Sequence, residues 1–431
     1  MVLQRERRRE DSIFRALVLL AILLEIVVYV EPAPVDLVLM MGLGIALILG
    51  KLRFPSLSAI PVVSLAVFGL ANLVSLYDPL DPSVAFRYLL VTFYLVSTWF
   101  FFVGVQGRYG KAFTATMINT YCVAGLLSAL LGILAYFGVL PFPDTLLQVG
   151  RARGLFKDCN VYGPFFVPAA LFALTRIMDS RSTLREKLPA LSVFIPSALA
   201  ILLSFSRACW INFVLALFIF LVGQVAFTGL RSQLSRRDIR RRMNIGLTIL
   251  VLGGVAVPLL DELPVVSDMM EQRLTHSGLQ DYDRVRFATQ ELALETAKSH
   301  PLGIGPGQVE LAFDYSTHSM YVRILTENGP IALLALLAFI SATLVRSVTL
   351  IQRAEDPWYR EINLVVVACI VGHLVNSVVI DTVHWRHIWF IYALPWAPAR
   401  VRAASAAFAS RVSRLSWNRR PVLVTHGITG R

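Results

Sequence analysis

Apolar stretches of about 18 or more residues, almost free of charge, recur from one end of this 431-residue chain to the other. Each is long enough as a helix to cross roughly 30 Å of hydrocarbon. With 56% hydrophobic and only 16% charged residues, the chain is too apolar for a soluble core surrounded by a polar surface. In lipid every backbone polar group must be paired within the protein, and the period-two alternation of a β-barrel is absent, so the stretches read as helices. The sequence predicts about twelve spans, at residues 13–30, 34–50, 57–76, 84–105, 112–137, 160–178, 189–205, 208–228, 244–260, 328–348, 361–380 and 385–400. The expected fold is therefore all-α, a polytopic integral membrane protein with its transmembrane domain over residues 1–400.

The basic first ten residues and the apolar run after them resemble a signal peptide. The run continues to Val30 without a small-residue cleavage site, so it reads as a first transmembrane helix. The net charge of +12 would suit a nucleic-acid binder, but its placement argues otherwise. Connections alternate between acidic or Pro-rich segments (Glu31 to Pro34, Tyr77 to Pro82, Asp261 to Pro264) and basic ones. The basic connections are Lys51 to Arg53, Arg108 to Lys111, Arg181 to Lys187, Arg231 to Arg242 and Arg353 to Arg360. The positive-inside rule then puts both termini in the cytoplasm and calls for no nucleic acid. The four cysteines, Cys122, Cys159, Cys209 and Cys369, stand apart from one another and read as small apolar helix residues.

Two segments depart from the pattern of short loops. Residues 261–328 form one long connection on the outer side, and a loop of that length in a compact protein is usually functional. Val285, Ala288, Leu292, Leu294 and Ala297 give its residues 284–299 helical spacing, ended by Pro301 and glycines 303, 305 and 307. The second is the basic tail, residues 401–431, where Phe408, Val412 and Leu415 share one helical face amid arginines. It reads either as a helix lying on the anionic cytoplasmic leaflet or as a disordered basic tail.

The outer side should be poor in cations, yet Arg151, Arg153, Lys157, Arg207, Arg284, Arg286, Arg323 and Arg386 all fall there. Guanidinium groups grip phosphate oxygens in pairs, and charge at a membrane mouth is costly enough to suggest use. The plainer alternative has each arginine snorkelling or paired with Asp158, Asp283, Glu327 or Asp381. His318, in Ser316-Thr-His-Ser-Met-Tyr before an apolar helix, can take a proton from a hydroxyl near neutral pH, or can be a structural hydrogen-bonding group. His276 and His300 have weaker claims; His373, with Asn376 and Ser377, is expected to hydrogen-bond between helices, and Glu25 is a buried polar contact or part of a proton path. Asp158 and Asn160 offer two oxygen ligands, which do not make a metal site.

At these residues the chain resembles the O-antigen ligase and polymerase superfamily of bacterial surface-polysaccharide enzymes. Arg151-Ala-Arg-Gly-Leu-Phe-Lys-Asp-Cys-Asn160 resembles the family's Arg-x-x-Gly-x-Phe-x-x-Pro-Asn element, with Cys159 in place of proline. Ser204-Phe-Ser-Arg207 is similar to its Ser-x-Ser-Arg element. Arg286 before Pro301-Leu-Gly-Ile-Gly305 resembles its outer-loop arginine and turn, and His318-Ser319 with the later Gly329 resembles its His-Asn/Ser motif. Gln290 stands where an aromatic is common and the turn is one residue short, which leaves Arg284 and Arg286 as alternatives.

The resemblance implies a GT-C-like membrane protein in the bacterial inner membrane, carrying out a metal-independent, inverting glycosyl transfer on the periplasmic face. The donor is a glycan on undecaprenyl diphosphate, held by Arg151, Arg207 and Arg286, with Arg153 and Arg284 beside them. His318 is the general base, Arg323 orients it or touches phosphate, and Asp158, Asn160 and Ser319 support the site. No cofactor is expected; the acceptor is lipid A core in a ligase, a second lipid-linked glycan in a polymerase, or a protein hydroxyl. A lipid-linked glycan transporter or flippase is the alternative of another class, but the polar groups gather at one face and not at the midplane.

Overall fold

The computed structural model of the protein describes residues 2–179, 182–229, 236–274 and 281–402. The chain is built almost wholly of helices. The first four are α1 (Val2–Leu24), α2 (Pro34–Ile48), α3 (Ala59–Val74) and α4 (Pro82–Tyr136). A one-turn helix, α5 (Pro143–Leu146), leads into a small antiparallel hairpin, β1 (Leu147–Gln148) and β2 (Arg151–Ala152). Then come α6 (Cys159–Ile177), α7 (Leu184–Leu203), α8 (Arg207–Gly229) and α9 (Arg236–Asp261). The 261–328 segment contains α10 (Pro264–Leu274), α11 (Asp281–Ser299) and α12 (Val309–Phe313), and the chain continues through α13 (Met320–Arg353), α14 (Pro357–Asn376) and α15 (Arg386–Ala393).

Among the described residues six helices are long and apolar enough to cross a membrane: Ala59–Tyr77, α4, α7, Arg207–Ala226, α13 and α14. That is fewer than the sequence predicts, and three of the differences have identifiable reasons. α4 runs for 55 residues but breaks at Gly110, where φ is 72°, so one helical run holds two predicted spans. α2 is apolar but shorter than the others. The expected span at 385–400 is the eight-residue α15 followed by a 3-10 turn, Leu394–Trp396. Most of the basic tail, residues 403–431, lies outside the described residues, as does His276. Leu47, Leu70, Val214, Phe218 and Leu334 stand exposed on their helices, the surface expected where lipid and not water is the solvent.

α6 is the central helix, buried along nearly its whole length and packed against α4, α7, α8 and α14. Close approach requires small residues: a Cβ at Gly163 would lie 2.6 Å from Ser204 Oγ, in the turn between α7 and α8. The core beneath the outer segments is aromatic. Trp99, Tyr121, Phe165 and Trp389 are fully buried, and Trp99 Nε1 donates to the Tyr392 carbonyl at 3.1 Å.

The turn from Pro301 to Gly307 docks onto a second helix break. α13 is interrupted at Gly329, with φ of 80°, and the freed carbonyls of Thr326 and Glu327 accept the amides of Ile304 at 3.0 Å and Gly305 at 2.9 Å. The break leaves carbonyls without helical partners, and the turn supplies donors for them. A Cβ at Gly303 would sit 2.2 Å from the Glu327 carbonyl oxygen, so the glycine permits this contact.

Candidate functional site

Arg151 owes its position to the hairpin. Val149 and Gly150 both have positive φ, the conformation of a tight two-residue turn, and Gln148 pairs with Arg151 across it. Asp158 then caps α6, accepting the Asn160 amide at 2.7 Å, while Gln148 Oε1 accepts the Cys159 amide at 3.0 Å. From this base Arg151 Nε donates to the Ser204 carbonyl at 2.8 Å and Nη2 to Asn160 Oδ1 at 3.0 Å. Ser204 ends α7 and Phe205 takes a left-handed conformation, so the chain reverses within two residues and α8 starts at Arg207. The Arg151 and Ser204–Arg207 blocks are therefore one local unit.

A cavity of about 500 Å³ opens beside this unit. Arg151, Asn160 and Arg207 line it from one side, and Asp283 and Arg286 from α11. Phe205, Ile211, Phe287, Val379 and Ile380 make an apolar wall. Asp283 Oδ2 lies 2.7 Å from Arg207 Nη2, and its Oδ1 lies 3.6 Å from Arg286 Nη1, so one carboxylate bridges the transmembrane helix and the outer segment. Three guanidinium groups against one carboxylate leave the lining with an excess of positive charge. Beside an apolar wall, that charge suits an amphiphile with an anionic head.

His318 does not line this cavity but lies within its electrostatic reach. The residue has positive φ, its amide donates to Ser316 Oγ at 3.3 Å, and its ring meets Tyr315 edge-on at 5.3 Å. Burial and then the charge of Arg286 lower its pKa, against the opposing pull of Asp158, Asp381 and Glu310. The neutral ring, a proton acceptor, is thus favoured. Ser319 caps α13 by accepting the Val322 amide at 3.4 Å. Gln290 Nε2 donates to the Thr317 carbonyl at 2.8 Å, which ties the histidine loop to the helix that carries Arg286.

The remaining sequence candidates lie elsewhere. Arg323 is buried and engaged by three carboxylates: Glu310 through two bonds of 2.8 and 2.9 Å, Asp381 at 3.0 Å and Glu327 at 3.3 Å. Its guanidinium also lies 5.4 Å from the Tyr88 ring centroid. Burial works against ionisation of Asp381, but Arg323 and His384 hold its carboxyl well below the usual carboxylate range. Arg153 stacks on Tyr29 at 4.9 Å, Arg284 is exposed on α11, and Arg386 makes a two-pronged pair with Asp36 at 2.6 and 2.7 Å. His300 is exposed, with its ring nitrogen 3.0 Å from the Thr296 carbonyl. His373, expected to hydrogen-bond between helices, instead lies edge-on to Trp385 at 5.6 Å with Nδ1 buried and unbonded.

Sequence reasoning treated Asp283 only as a possible ion-pair partner and Gln290 only as a departure from a pattern. The helical offset of Asp283 and Gln290 from Arg286, three residues before and four after, puts all three near one face of α11, and that spacing was the available signal. Glu310 and Tyr88 carried no signal, since both reach Arg323 only through the folding of distant segments.

Comparison with known proteins places this site in context. Residues 192–337 match the family model described as O-antigen ligase. The match bears out the resemblance to the O-antigen ligase and polymerase superfamily, and it contains Arg207, Asp283, Arg286, His318 and Arg323 while Arg151 precedes it. No curated protein matches the chain. The matched segment is similar to the O-antigen ligase family over about a third of the chain, and among the described residues six helices are long and apolar enough to cross a membrane.

Proposed function

We propose that the protein transfers a glycan from undecaprenyl diphosphate to an acceptor hydroxyl on the periplasmic face of the bacterial inner membrane, with both termini in the cytoplasm. The observation that carries this reading is the convergence of Arg151, Arg207 and Arg286 on one cavity with an apolar wall, next to the loop that holds His318. The three guanidinium groups hold the diphosphate and meet the charge that develops on it as the glycosidic bond breaks. Phe205, Ile211 and Phe287 face the start of the lipid chain. His318, neutral before reaction, accepts the proton of the acceptor hydroxyl, whose oxygen attacks the anomeric carbon opposite the diphosphate and inverts it. No metal ion enters this scheme. Arg323 serves as the post that fixes the α12 and Asp381 segments around the histidine loop, since carboxylates already occupy its donors.

The acceptor is lipid A core in this reading, which makes the protein a ligase; a polymerase uses the same donor chemistry and is the second reading. The test is a strain deleted for the gene and complemented with wild type or His318→Ala, with surface and lipid-linked glycans profiled together and protein level checked by blot. A ligase whose histidine is removed leaves long, unattached chains on the lipid carrier; a polymerase leaves single repeats. Normal transfer by His318→Ala sinks the catalytic assignment and moves the transporter reading forward.

A further inference from the structure

We infer that Asp283 is the resident anion that displaces the spent diphosphate from the cavity; this inference rests on the diphosphate reading above. Asp283 stands in the first turn of α11 and is only 4% exposed. Its two oxygens face two different arginines of the cavity, Arg207 at 2.7 Å and Arg286 at 3.6 Å. A carboxylate offers a guanidinium the same kind of paired oxygens as a phosphate, so the donors that hold Asp283 are those that hold a diphosphate. The side chain of Arg207 keeps 39% of its surface exposed while making this pair, so it remains accessible from the cavity. The carboxylate and the ligand thus compete for one set of donors.

The reaction supplies the reason for such competition. Transfer breaks the bond between the anomeric carbon and the diphosphate oxygen and forms a bond from that carbon to the acceptor oxygen. The acceptor proton is left on His318. The released lipid diphosphate therefore carries one more negative charge than the donor that entered. Arginines arranged to stabilise this leaving group hold it more tightly than they held the substrate. A fixed carboxylate among them offsets part of their field and restores its hydrogen bond with Arg207 and its ion pair with Arg286 as the product leaves. A residue that only oriented Arg207 and Arg286 would have the opposite effect on affinity, since removing it would loosen the grip on any anion.

The two roles separate in equilibrium binding of inorganic diphosphate to the purified full-length protein, measured by calorimetry at fixed ionic strength. Asp283→Asn is expected to bind diphosphate about tenfold more tightly than wild type, the effect of removing one close opposing charge in a partly buried site. Asp283→Glu, which keeps the charge, is expected to retain wild-type affinity. In transfer assays Asp283→Asn should show lower kcat and lower KM together, with stronger inhibition by added diphosphate. Unchanged or weaker binding by Asp283→Asn overturns the inference and leaves the residue an orienting group. Wild-type protein that binds no diphosphate, or binds it equally well as Arg151→Ala, removes the diphosphate reading and the inference with it. If Asp283→Asn is not recovered as a folded, monodisperse protein, Asp283→Ser gives the same comparison.

Discussion

Gln290 hands its side-chain amide to the Thr317 carbonyl at 2.8 Å, one turn of α11 beyond Arg286, so one helix positions both a cavity arginine and the backbone beside His318. In the proposed mechanism the distance between base and diphosphate is then set by the rigidity of a helix and not by a loop. Gln290→Ala removes this tie without touching either reacting group. Losing one such bond costs about 1 kcal/mol, which predicts a roughly five- to tenfold fall in kcat. KM for the lipid-linked donor should hold within about twofold, since the arginines are untouched. Steady-state transfer kinetics on purified protein check this, and an equal rise in KM would mean that Gln290 serves α11 docking as a whole.

His318 should work at a lower pH than an ordinary histidine. Its burial and the charge of Arg286 both disfavour the imidazolium. A general base is active in its neutral form, so activity is present above its pKa and lost as pH falls through it. The acid limb of the kcat/KM profile is therefore expected below the ordinary histidine value of about 6.5. Arg286→Gln removes a positive charge that opposes protonation, which raises the histidine pKa and moves the acid limb to higher pH. A limb that stays in place in Arg286→Gln would show that another group governs it.

How much of this was legible in the sequence differs from element to element. The helical class and the helix at 284–299 follow from hydropathy and spacing, which are local properties. Arg151, Arg207 and Arg286 were singled out because cations are scarce on the outer side, and they share the cavity. Arg323 was singled out by the same logic but lies among Glu310, Glu327 and Asp381. Charge counting finds cations at a given depth and cannot say which carboxylates fold against them. The span count suffered from a different cause. Gly110 breaks α4 at the basic stretch Arg108 to Lys111 without ending the helical run, so two predicted spans stand in one helix, and α15 ends after eight residues although its surroundings remain apolar. Whether an apolar run crosses the membrane or turns within the bundle depends on packing that hydropathy does not record.

Arg323 and Arg151 should fail in different ways when removed. Arg323→Ala leaves Glu310, Glu327 and Asp381 facing one another with their shared counter-ion gone. Stripping the partner from buried charge costs roughly 3–5 kcal/mol, enough to lower both thermal stability and the yield of folded protein. Arg151→Ala gives up hydrogen bonds to the Ser204 carbonyl and Asn160 but strands no cluster of buried carboxylates, so it should cost less stability than Arg323→Ala while losing transfer activity at least about a hundredfold. Thermal unfolding in detergent, run beside transfer assays on both variants, separates the two. A stable but inactive Arg323→Ala would return that residue to the ligand-binding set.

Gly303→Ala tests whether the docked turn holds the outer segment in place. The left-handed conformation of Gly303, with φ of 86°, is already unfavourable for alanine. The added methyl would also fall 2.2 Å from the Glu327 carbonyl, which is backbone and cannot swing aside. The turn must then lift off α13, and the carbonyls of Thr326 and Glu327 lose the amides of Ile304 and Gly305. Glu327 is also a partner of Arg323, so the disturbance reaches the carboxylate cluster below the histidine loop. Strain and two broken bonds together come to about 3–4 kcal/mol. The expected result is faster hydrogen exchange across residues 301–328 with the amides of α6 still protected, because α6 packs on other helices. Exchange that accelerates in α6 as well would mean that the turn supports the whole bundle and not the outer segment alone.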